Sequence, residues 1–211
     1  MRRNRDYAPD PAQLVDWTAD LVRAHPFVTL VSHPASGLVA SHYPVLVESA
    51  GERLTLLGHV GRPDDTVHEL GAHEVLVIVQ GPHGYVSSSW YPDRSQAAVP
   101  TWNYVTAHLT GVPELLSPEE NLRALDRLVD TFEHRVSEPR PMAGTEVDAA
   151  YAARISAGTV GFRLAVTHIE AKDKLGQDKP AATVAAVIAE LEGDGPYAAA
   201  ELAARMRAAR G

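Results

Sequence analysis

The chain has 211 residues, of which 45% are hydrophobic and 22% charged, a composition typical of globular proteins with one large domain. It contains no cysteine, which excludes disulfide frameworks, zinc ribbons, cysteine-ligated iron–sulfur clusters and cysteine nucleophiles. Its formal net charge of −8 disfavours a protein that works mainly by binding nucleic-acid phosphates, although it does not exclude direct DNA binding.

The first half of the chain predicts one helix followed by strands. Residues 11–24 place apolar side chains near one helical face, and Asp10 before Pro11 is a typical helix start. From residue 27 the apolar period changes to two, which is typical of strands. The predicted strands are 27–32, 38–47, 53–60, 74–80 and 102–112, with turns at 34–37, 49–51 and 82–84 and a short helix at 64–70.

The second half predicts helices around one further strand. Ser117 begins an amphipathic helix that extends to about residue 134. We also predict a short helix at 147–155, a strand at 158–169 and two alanine-rich helices at 180–191 and 197–210. Together these elements predict a mostly antiparallel sheet, closed as a barrel, with helices at its ends and outside.

Aromatic side chains are concentrated between residues 81 and 110. This segment holds Trp90, Trp102 and three tyrosines, although aromatic residues make up only 6% of the chain. Two interpretations are open. The aromatic side chains either fill a small barrel core or form a wall against which a flat, half-polar ligand lies.

Three other segments can each hold a ligand or be ordinary surface. At the turn from Gly58 to Arg62, backbone N–H groups and the guanidinium can bind a phosphate, or Arg62 is a solvated turn residue. Ala40 beside His42 lets a flat ring approach the strand, whereas the alternative is an ordinary edge histidine. The lysine-rich run at 170–180 either reaches an anionic ligand or is a solvated charged surface.

Several well-known catalytic and binding motifs are absent from the sequence. The ten histidines form no His-Glu-x-x-His motif, so we predict no metal site. The chain has no Gly-x-Ser-x-Gly elbow, Rossmann fingerprint or P-loop, and no catalytic residue can be assigned. The N-terminus has no signal-peptide pattern and the longest apolar runs are strand-sized, so we expect a cytoplasmic protein that does not span a membrane.

Taken together, these segments resemble the PaiB family of FMN-binding split-barrel proteins, which are often described as negative transcriptional regulators. The match runs in order through residues 30–33, 40–44, 57–62, 81–85, 89–91, 99–104 and 172–179. The resemblance implies a mainly β fold with peripheral N-terminal, connecting and C-terminal helices, in which residues 1–175 form a split β-barrel domain that binds FMN. Residues 176–211 would be a helical extension that packs on the barrel or on a partner. The resemblance further implies a homodimer with FMN in each of two interfacial clefts.

The resemblance also implies which residues bind FMN. The side of the cleft formed by one chain would contain Ala40, Ser41 and His42 along the isoalloxazine ring and Gly58, His59 and Arg62 near the ribityl phosphate. The second side, contributed by the partner, would contain Trp102, Asn103, Lys174 and Gln177. The family usually has Asn-Pro where this chain has Asp64 and Asp65. Two carboxylates repel a phosphate unless they point away from it, so we expect a reduced affinity for FMN.

The sequence leaves three hypotheses for function. The first is a cytoplasmic homodimeric flavoprotein; if it is an enzyme, it is a flavin-dependent oxidoreductase whose protein part supplies shape and electrostatics. The second is a PaiB-like transcriptional regulator with or without bound flavin, whose terminal helices either form a helix–turn–helix or pack against the barrel. The third is a flavin-free descendant that keeps only the dimer.

Overall fold

The computed structural model describes residues 5–95 and 97–209. Within these residues the strands are β1 Phe27–Ser32, β2 Val39–Ser49, β3 Thr55–Gly61, β4 Val75–Val86, β5 Thr101–Gly111, β6 Pro113–Leu115, β7 Thr159–Ala165 and β8 His168–Lys174. The α-helices are α1 Leu14–Ala24, α2 Asp64–Val67, α3 Pro118–Glu133, α4 Glu146–Ser156, α5 Ala181–Glu192 and α6 Ala200–Ala208. Short 3-10 helices lie at Arg5–Tyr7 and Ser88–Trp90.

The eight strands belong to one sheet in the order β6-β7-β3-β2-β1-β4-β5-β8. The pairs β1–β2, β1–β4, β2–β3, β3–β7 and β6–β7 are antiparallel. The predicted mainly β fold with peripheral helices is therefore confirmed. The closed barrel expected from periodicity alone is wrong, because β6 and β8 end the described sheet. Strand β8 carries charged side chains, which are typical of a sheet edge.

The chain divides into two compact units. The described residues of the first unit fall within 1–14, 80–107 and 170–211, and those of the second unit fall within 15–79 and 108–169. In the second unit, β3 and β7 supply the buried side chains of Leu56, Val60, Phe162 and Leu164. Helix α3 is started by Ser117, whose hydroxyl accepts a hydrogen bond from the Glu120 backbone while the Glu120 carboxylate accepts one in return.

In the first unit, helices α5 and α6 pack together through buried apolar side chains. These side chains are Val184, Val187, Ile188, Leu191, Leu202 and Met206. Gly84 on β4 allows a helix residue to come close, because a Cβ at this position would lie only 3.0 Å from Leu202 Cδ2. The turn predicted at residues 82–84 from their proline and glycine is wrong, because these residues are part of strand β4. The glycine in this strand allows a close approach of a neighbouring side chain.

Other boundaries also differ from the sequence predictions. The strand predicted at 158–169 is interrupted, since β7 ends at residue 165 and β8 begins at residue 168. Between them, the N–H groups of residues 166 and 167 bond to the carbonyls of Leu54 and Thr110. The charged run that follows is not simply solvated, since residues 168–174 form β8 and Asp173 is buried against Arg205. Helix α2 ends at residue 67 rather than 70, and α6 spans 200–208 rather than 197–210, of which residue 210 lies outside the described residues.

Candidate functional site

Strand β2 presents Ala40 and His42 to solvent on one face. Because β1 places Thr29 opposite His42, Thr29 Oγ1 lies 3.1 Å from His42 Nδ1. The imidazole also stacks on the exposed Phe27, with 6.1 Å between ring centroids. The imidazole is therefore held in place on both sides, and Ala40 beside it adds only a methyl group. This face can receive a flat ring close to the backbone of β2.

The opposite face of β2 is joined to helix α2 through Asp64. Ser41 Oγ donates a hydrogen bond to Asp64 Oδ2 at 2.8 Å, and the Tyr43 hydroxyl donates to the same oxygen at 2.6 Å. These two bonds, with that of Tyr43 the larger effect, hold the pKa of Asp64 below its ordinary range. The Gly61 N–H donates to the Tyr43 hydroxyl at 3.3 Å. Asp64 therefore points toward β2, and its charge is stabilised there.

His68 extends this set of hydrogen bonds into the interior. It is fully buried, with Nδ1 2.7 Å from Ser32 Oγ and Nε2 3.0 Å from Ser41 Oγ. Because Ser41 gives its proton to Asp64, we assign the proton of the neutral imidazole to Nε2, and Ser32 then donates to Nδ1. Burial lowers the pKa of His68, and the nearby charge of Asp64 partly opposes this shift. We call Ser32, Ser41, Tyr43, Asp64 and His68 the β2–α2 network.

Arg62 lies on the turn between β3 and α2 with its side chain 55% exposed. Its Nη1 forms an ion pair with Asp65 Oδ2 at 2.8 Å. A guanidinium has five N–H donors, so one such bond leaves donors for a phosphate. Both acidic residues expected to repel a phosphate thus have partners, Asp64 on β2 and Asp65 in Arg62 itself, although Asp65 Oδ1 has no hydrogen-bond partner within the described residues.

Gly58 and His59, the two neighbouring positions on β3, have different environments. Gly58 is buried, and a Cβ there would lie 2.7 Å from Phe162 Cζ, so core packing alone requires glycine. His59 is half-buried, and its Nδ1 has no hydrogen-bond partner within the described residues. Burial lowers the pKa of His59. An unsatisfied buried nitrogen is costly, so His59 can bond to a group that this chain does not supply.

The aromatic residues of the first unit form a surface cluster. Trp102 is 54% exposed on β5, with ring centroids 5.9 Å from His83 and 6.3 Å from Tyr85. Tyr197, which is distant in sequence, lies 4.7 Å from Tyr85 and 6.5 Å from Trp90 between ring centroids. The exposure of Trp102 favours a wall for a ligand or partner over a barrel core.

The remaining predicted residues of the first unit make contacts inside that unit. Lys174 Nζ donates to Thr101 Oγ1 at 2.5 Å and to the Trp102 carbonyl at 2.7 Å. Gln177 folds over its own turn and donates to the Asp173 carbonyl at 2.5 Å. Asn103 is 3% exposed, and its Nδ2 donates to Met206 Sδ at 3.5 Å.

The ten residues predicted to bind FMN thus fall into two sets. The second unit holds Ala40, Ser41, His42, Gly58, His59 and Arg62 on β2, on β3 and at the turn after β3, whereas the first unit holds Trp102, Asn103, Lys174 and Gln177. Ser41 does not share the face of Ala40 and His42, because its hydroxyl bonds to Asp64 and His68 on the opposite face of β2. Their contact with FMN stays a prediction. The sequence analysis missed the roles of Asp64 and His68, because Asp64 was considered only as a repulsive charge and His68 bonds to residues 36 and 27 positions away.

Within the part of the chain that the structure describes, no three histidine or acidic side chains are grouped so as to hold a metal ion. None of the described helices combines the length and the apolar character that crossing a membrane requires.

Comparison with known proteins identifies the family. The sequence family described as "Putative FMN-binding domain" matches residues 7–168. The chain belongs to this family. It is also 30% identical over 178 residues to the protease synthase and sporulation protein PAI 2 of Bacillus subtilis, covering 83% of each chain. This match supports membership of the PaiB family, and the family match supports FMN as the cofactor.

Solved structures share the fold at low sequence identity. The FAD and heme binding protein from Mycobacterium smegmatis aligns with a TM-score of 0.55 and 20% identity, over 86% of this chain and 78% of that one. The flavocytochrome Anf3 from Azotobacter vinelandii aligns with a TM-score of 0.59 and 15% identity, over 83% of this chain and 73% of that one. These similarities confirm the split-barrel fold class.

The residues on the described surface of the second unit fit FMN. Ala40 leaves room for a ring over β2, Arg62 retains unused N–H donors, and His59 Nδ1 lacks a partner within the described residues. The ion pair between Arg62 and Asp65 must loosen or share its guanidinium when a phosphate binds. We therefore expect the residues to bind FMN with reduced affinity, because Asp65 competes with the phosphate for the guanidinium of Arg62.

Proposed function

We propose that this chain is a flavoprotein that binds FMN on the exposed face formed by β2 and the turn after β3. The observation that carries the proposal is the exposed pair Ala40 and His42 together with the exposed guanidinium of Arg62, in a chain that belongs to an FMN-binding family. Ala40 and His42 would lie along the ring system. Arg62 would bind the phosphate, and His59 would bond to a polar atom of the cofactor.

We further propose that the protein acts as a homodimer in the cytoplasm, with FMN between the two copies. The exposed rings of Phe27 and Trp102 support a partner, because large exposed apolar side chains are typical of interaction surfaces. Trp102 is the strongest candidate for the second side of the cleft. Asn103, Lys174 and Gln177 are weaker candidates, since each already has contacts within its own unit. We retain residues 1–175 as the flavin-binding domain and 176–211 as its helical extension.

The proposed chemistry is that of a flavin-dependent oxidoreductase. Bound FMN supplies electron transfer, and the protein contributes binding, orientation and electrostatics. His42 is fixed by Thr29 and Phe27, so it can orient a ring without moving. The β2–α2 network holds the strand that carries Ala40 and His42. No side chain is assigned as a proton donor or acceptor in the reaction.

A PaiB-like transcriptional regulator is the alternative, favoured by the similarity to PAI 2 of Bacillus subtilis. The C-terminal helices give this alternative little electrostatic support. Arg205 is paired with Asp173 and Arg207 with Glu192, so the positive charge of α6 is neutralised locally. Phosphate contacts would require these pairs to separate, in a chain with a net charge of −8.

The test is FMN titration by visible absorption and fluorescence quenching, with Arg62→Ala compared with Arg23→Ala. Arg23 is a matched control because its side chain is also 55% exposed and also forms a 2.8 Å pair with an aspartate three positions away. We expect Arg62→Ala to weaken FMN binding by roughly tenfold or more, whereas Arg23→Ala leaves it unchanged. Equal effects of the two variants would contradict the proposed phosphate site.

Two further measurements separate the alternatives. Light scattering at micromolar concentration should give the mass of a dimer, and a monomer mass would exclude an interfacial cleft. A labelled DNA duplex titrated at physiological salt should give no anisotropy change. Sequence-selective duplex binding without any response to FMN would favour the regulator.

A further inference from the structure

The first unit contains a cavity of about 230 Å³ between β5, the end of β8 and helices α5 and α6. Its apolar lining includes Val86, Val184, Val187 and Met206. Its polar lining includes Thr101, Asn103, Lys174 and Lys179. An apolar body with a few convergent polar groups is typical of a site for a small organic molecule.

The volume limits the ligand. An apolar cavity of roughly 150 Å³ holds one benzene molecule, so this one holds a ligand of about ten non-hydrogen atoms. FMN is several times larger and cannot lie wholly inside this space. A ligand held wholly inside it is therefore much smaller than the cofactor.

The charged side chains that line the cavity favour a ligand with a negative charge. Lys179 is paired at 2.8 Å with Asp178, which also lines the cavity and attracts Lys174 at longer range. Lys174 itself donates only to a hydroxyl and a carbonyl, and it forms no ion pair within the described residues. Its ammonium is partly removed from water, and this burial lowers the pKa of Lys174. A desolvated cation is costly unless an anion accompanies it. An ammonium has three N–H donors, so one remains for a ligand.

Asn103 supplies a second donor in the same place. Its side chain is 3% exposed, and its Nδ2 is bonded to the thioether sulfur of Met206 at 3.5 Å. Thioether sulfur is a weak acceptor. A carboxylate oxygen would be a stronger acceptor for this amide, so binding would exchange a poor bond for a good one.

Most of the apolar side chains named above as lining the cavity lie outside the part of the chain that the family match covers. The match ends at residue 168, whereas Val184, Val187 and Met206 belong to α5 and α6. We infer that this cavity is a second binding site, which takes a small organic carboxylate with an apolar body of about five to seven carbon atoms. Lys174 and Asn103 bind the carboxylate, and the helix side chains contact the apolar body.

The experiment uses hexanoate and phenylacetate as probes, with hexanamide and phenylacetamide as neutral counterparts. Binding is measured by calorimetry and by the NMR shift of the Asn103 side-chain amide, in the wild type, Lys174→Met and Lys172→Met. Lys172 is a matched control on the same strand, because it lies over the rings of Tyr7 and Tyr104 and does not line the cavity. A third variant, Val187→Phe, fills the cavity without changing charge.

We expect the carboxylates to bind at least tenfold more tightly than the amides and to shift the Asn103 signal. Lys174→Met should remove this preference, Lys172→Met should keep it, and Val187→Phe should weaken both kinds of probe. Absence of binding at millimolar concentration, or equal loss in both lysine variants, would overturn the inference. Competition between hexanoate and FMN would also overturn it, because the cavity would then belong to the flavin site. FMN absorption of the wild type and of Lys172→Met, neither of which alters a candidate FMN residue, tests the flavoprotein proposal separately.

Discussion

Strand β2 in the second unit and strand β8 in the first unit both carry polar side chains that are partly removed from water, but they satisfy them differently. On β2, Ser41 and Tyr43 donate to one carboxylate oxygen of Asp64. On β8, Lys174 donates only to a neutral hydroxyl and a neutral carbonyl. Both charges are thus stabilised by neutral groups, but Asp64 is turned into a network of hydrogen bonds, whereas Lys174 keeps one unused N–H donor and lines a cavity.

This difference separates two kinds of ligand chemistry. The β2–α2 network is complete without a ligand, so its role is to hold β2 while the opposite face, with Ala40 and His42, remains available for a ring. Lys174 keeps an unused N–H donor beside the cavity, so a ligand there can form a charged hydrogen bond that the chain does not supply. Flavin binding should therefore depend on shape and on Arg62, whereas binding in the cavity should depend on charge.

Removal of Asp64 should have the largest effect on stability. Asp64→Ala leaves two half-buried hydroxyl groups without their acceptor, and hydrogen bonds to a charged group contribute about 1.5–3 kcal/mol each. We expect the free energy of unfolding to fall by about 2–3 kcal/mol in urea denaturation. The adjacent Asp65→Ala removes a pair with an exposed arginine and should cost less than about 1 kcal/mol. Similar losses in both variants would show that the network is not specially stabilising.

The glycines of the two units should respond to added methyl groups in different ways. Gly58→Ala would place a Cβ 2.7 Å from Phe162 Cζ, part of a rigid buried ring, and should destabilise by roughly 1–2 kcal/mol. Gly84→Ala would meet the end of a flexible leucine at 3.0 Å and should cost less. Thermal denaturation of both variants tests this order. A larger loss for Gly84→Ala would mean that the helix of the first unit cannot adjust.

The sequence predicted the β2 region well because its signals are local. Alternation placed Ser41 and Tyr43 on one face and Ala40 and His42 on the other, as the structure does. The role of Asp64 was not predictable in the same way, since its hydrogen-bond donors are 23 and 21 residues away. Its charge was visible, but the direction of its side chain depends on the packing of α2 against β2.

The first unit was harder to predict because its elements come from distant parts of the chain. The charged run at 170–174 has no apolar alternation, yet it is a strand, and its Asp173 is stabilised by Arg205 32 residues later. Proline and glycine at 82–84 indicated a turn, yet these residues lie in a strand, where Gly84 leaves room for the side chain of Leu202. The cavity depends on α5 and α6, so no motif in the sequence marks it.

Replacement of Lys174 should change stability much less than replacement of Asp64. Lys174→Met loses two hydrogen bonds to neutral groups, but it also removes the cost of holding an unpaired ammonium partly out of water. We expect a net change within about 1 kcal/mol in urea denaturation without ligand. Lys172→Met serves as the control. A loss as large as that of Asp64→Ala would mean that Lys174 is structural, and the contrast between the two strands would disappear.

The smallest expected effect concerns pH and His68. Burial lowers the pKa of His68 in the folded state below its ordinary value of 6.5, so at pH below 6.5 the unfolded chain binds a proton that the folded chain does not. Stability from this residue is therefore fully present above pH 6.5 and is lost as pH falls toward the lowered pKa. Asp64, whose folded pKa is also lowered, contributes stability above its ordinary value of 3.8 and loses it at more acid pH, so the two windows are separate.

His68→Gln keeps a polar side chain but removes this titration. In urea denaturation at pH values from 5 to 7, the variant should lose less stability on acidification than the wild type. The slope of the free energy of unfolding against pH should be smaller in the variant, by the equivalent of less than one bound proton. His59, whose pKa is also lowered by burial, still titrates in the variant, so a residual slope should remain and should decrease further in the double variant with His59→Gln. An unchanged slope in His68→Gln would mean that His68 is protonated equally in the folded and unfolded states, and the neutral tautomer assigned to the β2–α2 network would be wrong.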